Sequence, residues 1–257
     1  MNLAYENAGE GRASPWGFWP TVGFSFIIVT GYISIQVILL LIFVVFAALG
    51  TKNFNFEQYI KGLESNGLFL SIATSAAAPF TIGLTILFAK IRKQITLKDY
   101  FGLHRVGWKK MFKWCLIVLV FAGCFDTLTY LLGRSVVPEF MLGAYKTAYF
   151  TPLLWFALVI VAPLLEEILF RGFLFKGIEH SRMGPVGAVI ITALAWAAMH
   201  IQYDAYSLAG LFAGGLLLGF ARFKSKSIYP SVCMHALQNI LATVEVVICL
   251  RMTPGTV

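Results

Sequence analysis

Hydrophobic residues in this chain form long runs, and the polar residues collect between the runs instead of alternating with them. Most runs approach the ~20 residues that an α-helix needs to cross the hydrocarbon core of a bilayer. The runs cover residues 20–49, 68–89, 111–132, 150–175, 185–203, 208–220 and 228–250. The pattern predicts an all-α, multi-pass transmembrane helical bundle of about seven spans, with six to eight as the range. The run 208–220 is the weakest, because it is short and glycine-rich.

Composition supports the same class, since 59% of the residues are hydrophobic and only 12% are charged. The longest polar stretch, 90–110, is too short for a soluble domain. We therefore expect one integral membrane domain over 1–257, in the cell (inner) membrane. Within it, residues 54–63 carry apolar side chains at helical spacing and predict a short interfacial helix.

Lysine and arginine predict the orientation. With the N-terminus in the cytoplasm, the inner segments hold Arg12, Lys90, Arg92, Lys93, Lys98, Arg105, Lys109, Lys110, Lys113, Lys176, Arg182, Arg222, Lys224 and Lys226. The outer segments hold Lys52, Lys61, Arg134, Lys146 and Arg251. Fourteen basic residues in the inner segments against five in the outer segments fit the positive-inside rule. The net charge of +8 is explained by topology and by contact with anionic lipid, so we expect the bilayer and no nucleic acid as a partner.

Three charged residues interrupt the fourth run. Glu166, Glu167 and Arg171 lie within the segment APLLEEILFRGFLF at 162–175. A carboxylate at the centre of a membrane helix costs at least about 2.5–3.5 kcal/mol, so a pair of glutamates there indicates a functional site. Arg171 follows Glu167 by one helical turn and can pair with it, which leaves Glu166, rotated by ~100°, on another face of the helix.

Further polar residues occur in the fifth and seventh runs. In the fifth run the segment 196–200 ends in His200, and in the seventh His235 and Asn239 are four residues apart, hence on one helix face. Each alone is typical of a hydrogen bond between packed helices. Together with the glutamates they occupy three spans, and desolvated polar groups tend to meet in the bundle interior. We predict that they line one polar chamber.

Such a chamber supports water activation. A glutamate can act as general base, a histidine can orient the water or shuttle its proton, and histidine and asparagine donors suit a developing oxyanion. That combination predicts amide hydrolysis. A zinc ion held by Glu166, His200 and His235, with water at the open position, is the alternative. Asparagine is an unusual zinc ligand and no HExxH occurs, so the spacing does not establish a metal.

These residues resemble three motifs of one protein family. The segment 162–175 resembles the EExxxR motif of the CPBP intramembrane proteases, which include the type II CAAX prenyl endopeptidases and the bacteriocin-processing and Abi-like immunity proteins. Residues 196–200 resemble the FxxxH motif, with Trp196 in place of phenylalanine, and residues 235–239 match HxxxN. The motifs occur in the family's order on successive spans. The resemblance covers a catalytic core of about 150–250.

The resemblance implies endoproteolysis within the membrane, in a cleft open to the cytosol. Its catalytic residues correspond to Glu166, His200, His235 and Asn239, with Glu167 and Arg171 as supporting residues. The family has been described both as metal-dependent and as metal-free, and we favour a metal-free site without a cofactor, with zinc as the alternative.

We therefore expect an intramembrane endopeptidase that acts on a membrane-associated peptide or protein. Whether that substrate is prenylated is not specified by the sequence. Two other functions stay open: a non-enzymatic immunity factor or scaffold, and a transporter that uses the buried acids and histidines. The chain lacks the paired halves with matching broken helices that are typical of transporters.

Four glycines and two acids lie in spans outside the motifs. Gly210, Gly214, Gly215 and Gly219 form two interleaved small-xxx-small pairs, which predict close helix packing. Asp126 in the third span can line the substrate path or neutralise a cation. Glu245 lies near the outer end of the seventh span.

Overall fold

A computed structural model of the protein describes residues 14–252. Over that range the chain forms helices α1 Phe18–Gly50, α2 Phe56–Glu64, α3 Gly67–Ile91, α4 Leu97–Phe101, α5 Trp108–Leu131, α6 Glu139–Lys146, α7 Thr151–Trp155, α8 Ala162–Glu167, α9 Phe175–Glu179, α10 Gly184–Ala197, α11 Ala205–Ser225 and α12 Tyr229–Met252. The π-helical segments Phe156–Val161 and Ile168–Leu174 join α7, α8 and α9. Thr151–Glu179 is consequently one continuous apolar span. Arg12, counted above among the inner basic residues, lies outside the described residues.

Six of the described helical stretches are long and apolar enough to cross a membrane. They are α1, α3, α5, Thr151–Glu179, α11 and α12, and the 14-residue α10 is a shorter apolar helix. Large apolar side chains such as Phe26, Phe46 and Phe112 are exposed on the bundle surface, as expected where lipid is the solvent. The prediction of an all-α, multi-pass helical bundle is confirmed.

The structure changes the bounds of the fifth and sixth spans. α10 ends at Ala197, so residues 198–204 form a turn, and the short run 208–220 lies within the 21-residue α11. α11 begins at Ala205 because the Asp204 side chain caps it, accepting a 2.9 Å hydrogen bond from the Ser207 N–H. That cap starts α11 before its apolar run begins. His200, which the apolar run placed at the end of a helix, lies in the turn instead.

The helix predicted over 54–63 forms as α2. Asn55 caps it by accepting a 3.0 Å hydrogen bond from the Gln58 N–H, and Leu63 is its buried residue. The first span, although 33 residues long, is one continuous helix, α1.

Small residues let α10 and α11 approach closely. A Cβ atom added to Gly215 would lie 3.1 Å from both Ala193 and Trp196, and one added to Gly219 would lie 3.3 Å from Val189. The close packing predicted from the small-xxx-small pairs is confirmed. It brings the backbone of α11 within hydrogen-bonding reach of side chains on the fourth span.

The largest core cluster occupies one half of the bundle. Phe173 and Phe175 of the fourth span are fully buried there, and the Tyr100 ring of α4 stacks on Phe173 at a centroid distance of 5.5 Å. α4 is therefore folded into the bundle, although the sequence places it in the longest polar connection. A second, smaller cluster includes Met141 and Tyr145 of α6.

We expect Gly67→Ala to destabilise the protein and Gly83→Ala, on the same helix, to leave it unaffected. A Cβ atom at Gly67 would lie 1.9 Å from the carbonyl oxygen of Ala144 and 2.9 Å from Cα of Ala148, which are backbone atoms that cannot rotate away. Overpacking of this kind costs about 1–3 kcal/mol. No neighbour lies within 4 Å of a Cβ at Gly83. Thermal unfolding of the two purified variants measures the difference, and equal unfolding midpoints would contradict the packing of α6 on α3.

Candidate active site

A buried ion pair lies at the centre of the bundle. Arg171 Nη1 is 2.8 Å from Glu167 Oε1, and both side chains are fully buried. Arg171 Nη2 donates a 3.1 Å hydrogen bond to the carbonyl oxygen of Gly215, and the guanidinium lies over the Trp196 ring at 5.0 Å. The pair predicted from the i,i+4 spacing is present, and contacts from α10 and α11 stabilise it.

His235 connects this pair to Glu166. Its Nδ1 is 3.0 Å from Glu167 Oε1, and its Nε2 is 3.8 Å from Glu166 Oε2. Because a carboxylate only accepts hydrogen bonds, Nδ1 carries the proton toward Glu167 and fixes the orientation of the ring. The second ring nitrogen therefore faces Glu166.

Glu166 has different surroundings from its neighbour Glu167. Its side chain is 19% exposed, and Oε2 accepts a 2.5 Å hydrogen bond from the indole N–H of Trp196. Arg171 bonds to Glu167 rather than to Glu166. One helical turn thus presents two carboxylates, one within the ion pair and one at the wall of a cavity.

Both glutamates lie on the short α8 between the two π-helical segments. Pro163, in its first turn, has no N–H, and its ring would collide with the carbonyl oxygen four residues earlier in a regular α-helix. The π-helical segment that ends at Val161 widens the backbone just before this proline. Such widened turns are frequent at functional sites.

His200 and Asn239 are both half-buried. Nδ1 of His200 is 2.9 Å from the carbonyl oxygen of Trp196, so Nδ1 is the donor and Nε2 is left for another partner. Nδ2 of Asn239 donates a 2.6 Å hydrogen bond to the carbonyl oxygen of Leu158. An amide has two N–H donors, so Asn239 retains one for a ligand.

A cavity of about 800 Å³ joins these residues. Its wall includes Glu166, His200, His235 and Asn239, so the chamber predicted from the sequence is present in the structure. The cavity wall also includes Asp126 and Glu245. For Asp126 the sequence had left open a place on the substrate path or the neutralisation of a cation.

The rim of the cavity carries an ion pair between Arg134 and Asp204. Hydrogen bonds from Ser207 lower the pKa of the Asp204 carboxyl, and Arg134 acts in the same direction. The rim is therefore charged at neutral pH.

The alternative of a zinc ion held by Glu166, His200 and His235 can be compared with the positions of these side chains. Among the described residues, no group of three or more His, Cys, Asp or Glu side chains is placed to hold a metal ion. Glu166, His200 and His235 do not converge as a ligand set.

Trp196 is the site residue whose contact the sequence analysis missed. It appeared there only as a departure from the FxxxH motif, although its indole N–H donates to Glu166 and its ring contacts Arg171, His200 and His235. The tryptophan itself could have indicated this contact. A buried tryptophan has an N–H donor that phenylalanine lacks, and that donor needs an acceptor.

We expect Arg171→Ala to lower the stability and the yield of the protein, because the buried Glu167 carboxylate would lose its charged partner and keep only the His235 hydrogen bond. Removing one member of a buried pair typically costs about 3–5 kcal/mol. Lys61→Ala is the matched control, since the Lys61–Glu57 pair has the same spacing and the same 2.8 Å distance but is exposed. Thermal unfolding in detergent compares the two variants. An equal midpoint for both would show that the buried pair is not structural.

Residues 148–241 match the sequence model of the Rce1-like family, described as type II CAAX prenyl endopeptidase Rce1-like. The matched range contains all three motifs, so the recognition of this family from the sequence is confirmed. No curated protein and no solved structure matches the chain.

Proposed function

We propose that this multi-pass membrane protein is an intramembrane endopeptidase, in which Glu166 activates a water that hydrolyses a peptide bond of a membrane-associated peptide or protein. The observation that carries the proposal is the difference between the two glutamates. Glu167 is bound by Arg171, whereas Glu166 lines the cavity beside His235. The match of 148–241 to an endopeptidase family supports the same reaction class.

Glu166 is the proposed general base. The indole N–H of Trp196 holds Oε2 and leaves Oε1 free to take a proton from a water in the cavity. His200 orients that water through Nε2, because its Nδ1 is bonded to the backbone. The hydroxide attacks the carbonyl carbon of the scissile bond. Glu166 then returns the proton to the leaving amine, so the base is regenerated.

His235 and Asn239 are the proposed donors to the oxyanion. The Glu167 carboxylate at Nδ1 stabilises positive charge on the His235 ring while negative charge develops on the substrate oxygen. Asn239 donates its second N–H from the same helix, four residues away. Donors held in fixed positions stabilise such an oxyanion more strongly than mobile water molecules do.

We expect Glu166→Gln to abolish processing while the protein still inserts and accumulates. The substitution removes the base but keeps the side-chain volume, and loss of general-base catalysis lowers turnover by about 10²–10⁴-fold. Comparing membrane peptides from cells with the native protein and with Glu166→Gln measures the effect and identifies the substrate. Glu57→Gln, on the exposed face of α2, is the control. Near-normal turnover of an identified substrate by Glu166→Gln would contradict the assignment of Glu166 as the general base. Identical peptide profiles for the native protein and Glu166→Gln would favour a non-enzymatic scaffold.

We expect the purified protein to contain no stoichiometric zinc. A catalytic zinc site needs three protein ligands placed around one point, and the described His, Cys, Asp and Glu side chains form no such group. Elemental analysis of the detergent-purified protein tests this prediction. About one zinc per chain, lost with activity on chelation and restored by added zinc, would instead make Glu166, His200 and His235 metal ligands.

A further inference from the structure

The cavity occupies one half of the bundle. On α3 its wall begins at Leu70, close to the start of that helix, and on α5 it reaches Thr129, close to the end. On α12 it extends to Val246, in the last third of the helix. With the 14-residue α10 counted as the fifth crossing, successive spans alternate in direction, so the start of α3 and the ends of α5 and α12 lie at the same face. The cavity therefore extends from Glu166 toward that face.

The mouth of the cavity is at this face. It is lined by exposed residues from the connection between α5 and α6, from the start of α6 and from the turn before α11, namely Arg134, Ser135, Glu139, Gln202 and Asp204. The ion pair between Arg134 and Asp204 joins two of these segments. The chamber is therefore continuous with the surface at the face where α5 ends and α11 begins.

The opposite half of the bundle is closed by packed side chains. Phe101, Phe173 and Phe175 are at most 4% exposed. Arg222 is also buried, and its Nε donates a 3.0 Å hydrogen bond to the carbonyl oxygen of Arg171. The cavity wall includes no residue of α4 or α9. This packing separates Glu166 from the second face.

The closed face carries most of the basic residues. In the part of the chain that the structure describes, it holds Lys90, Arg92, Lys93, Lys98, Arg105, Lys109, Lys110, Lys113, Lys176, Arg182, Arg222, Lys224 and Lys226. The open face holds Lys52, Lys61, Arg134, Lys146 and Arg251. Because the closed face has thirteen basic residues and the open face five, the positive-inside rule places the closed face in the cytoplasm.

We infer that the chamber opens on the extracytoplasmic face and that it accepts a membrane-associated peptide or protein whose scissile segment lies on that face. The identity of the chamber as a substrate site rests on the proposed function, whereas the direction of the opening does not. The inference departs from the cytosolic cleft that the family resemblance implied. It excludes substrates whose scissile segment is presented only from the cytoplasm, including the prenylated C-termini of cytosolic proteins.

The direction of the opening is tested by the accessibility of single cysteines. After replacement of Cys115, Cys124, Cys233 and Cys249, four variants are compared: Gln202→Cys at the mouth, Ala242→Cys on the inner wall, Val244→Cys facing away from the cavity on the same helix, and Lys226→Cys on the basic face. A charged, membrane-impermeant thiol reagent is added to spheroplasts and to inside-out vesicles.

We expect Gln202→Cys and Ala242→Cys to react in spheroplasts, Lys226→Cys to react only in inside-out vesicles, and Val244→Cys to react in neither. Reaction of Ala242→Cys only in inside-out vesicles, or in neither preparation, would overturn the inference, as would reaction of Lys226→Cys in spheroplasts. The labelling needs no enzymatic activity. A protein that labels as expected but shows no dependence of processing on Glu166 would refute the proposed function alone.

Discussion

Glu167 and Arg171 are fully buried in a bundle whose surroundings are apolar, and the cost of desolvating both charges constrains the helices around them. Their mutual attraction offsets that cost only with good geometry and further hydrogen bonds. α11 provides one such bond through the Gly215 carbonyl, and a side chain at Gly215 would crowd α10. α12 provides another through His235. The pair thereby fixes the positions of three spans relative to one another.

The same constraint makes two adjacent glutamates chemically different. Glu167 is bound on one side by Arg171 and on the other by His235, so it is not available to a substrate. Glu166, one residue earlier, lies on another helix face and is oriented by the Trp196 N–H. His235 contacts Glu167 through one ring nitrogen and faces Glu166 through the other. In the proposed mechanism, the ion pair therefore orients the donor that faces the general base.

Much of this arrangement could be predicted from the sequence, because intramembrane charges are costly and must find partners. The i,i+4 spacing predicted the Glu167–Arg171 pair. The cost of polar groups in the membrane predicted that Glu166, His200, His235 and Asn239 line one chamber. Hydropathy predicted a helix through His200, because hydropathy contains no information about the Asp204 cap at which α11 begins. The two π-helical segments around α8 were also missed, since periodicity does not distinguish a widened turn from a regular one. The Trp196 contact depends on tertiary packing of α10 against the fourth span.

In the proposed mechanism Glu166 takes part in the reaction, whereas Glu167 stabilises the structure. The most direct measurement compares Glu166→Gln and Glu167→Gln, two isosteric substitutions on one helical turn, by unfolding midpoint and by turnover of the same substrate. Glu166→Gln is expected to unfold at the native temperature and to lose turnover, whereas Glu167→Gln is expected to unfold at a lower temperature because Arg171 loses its charged partner. Equal losses of stability in the two variants, or turnover retained in Glu166→Gln, would contradict the account.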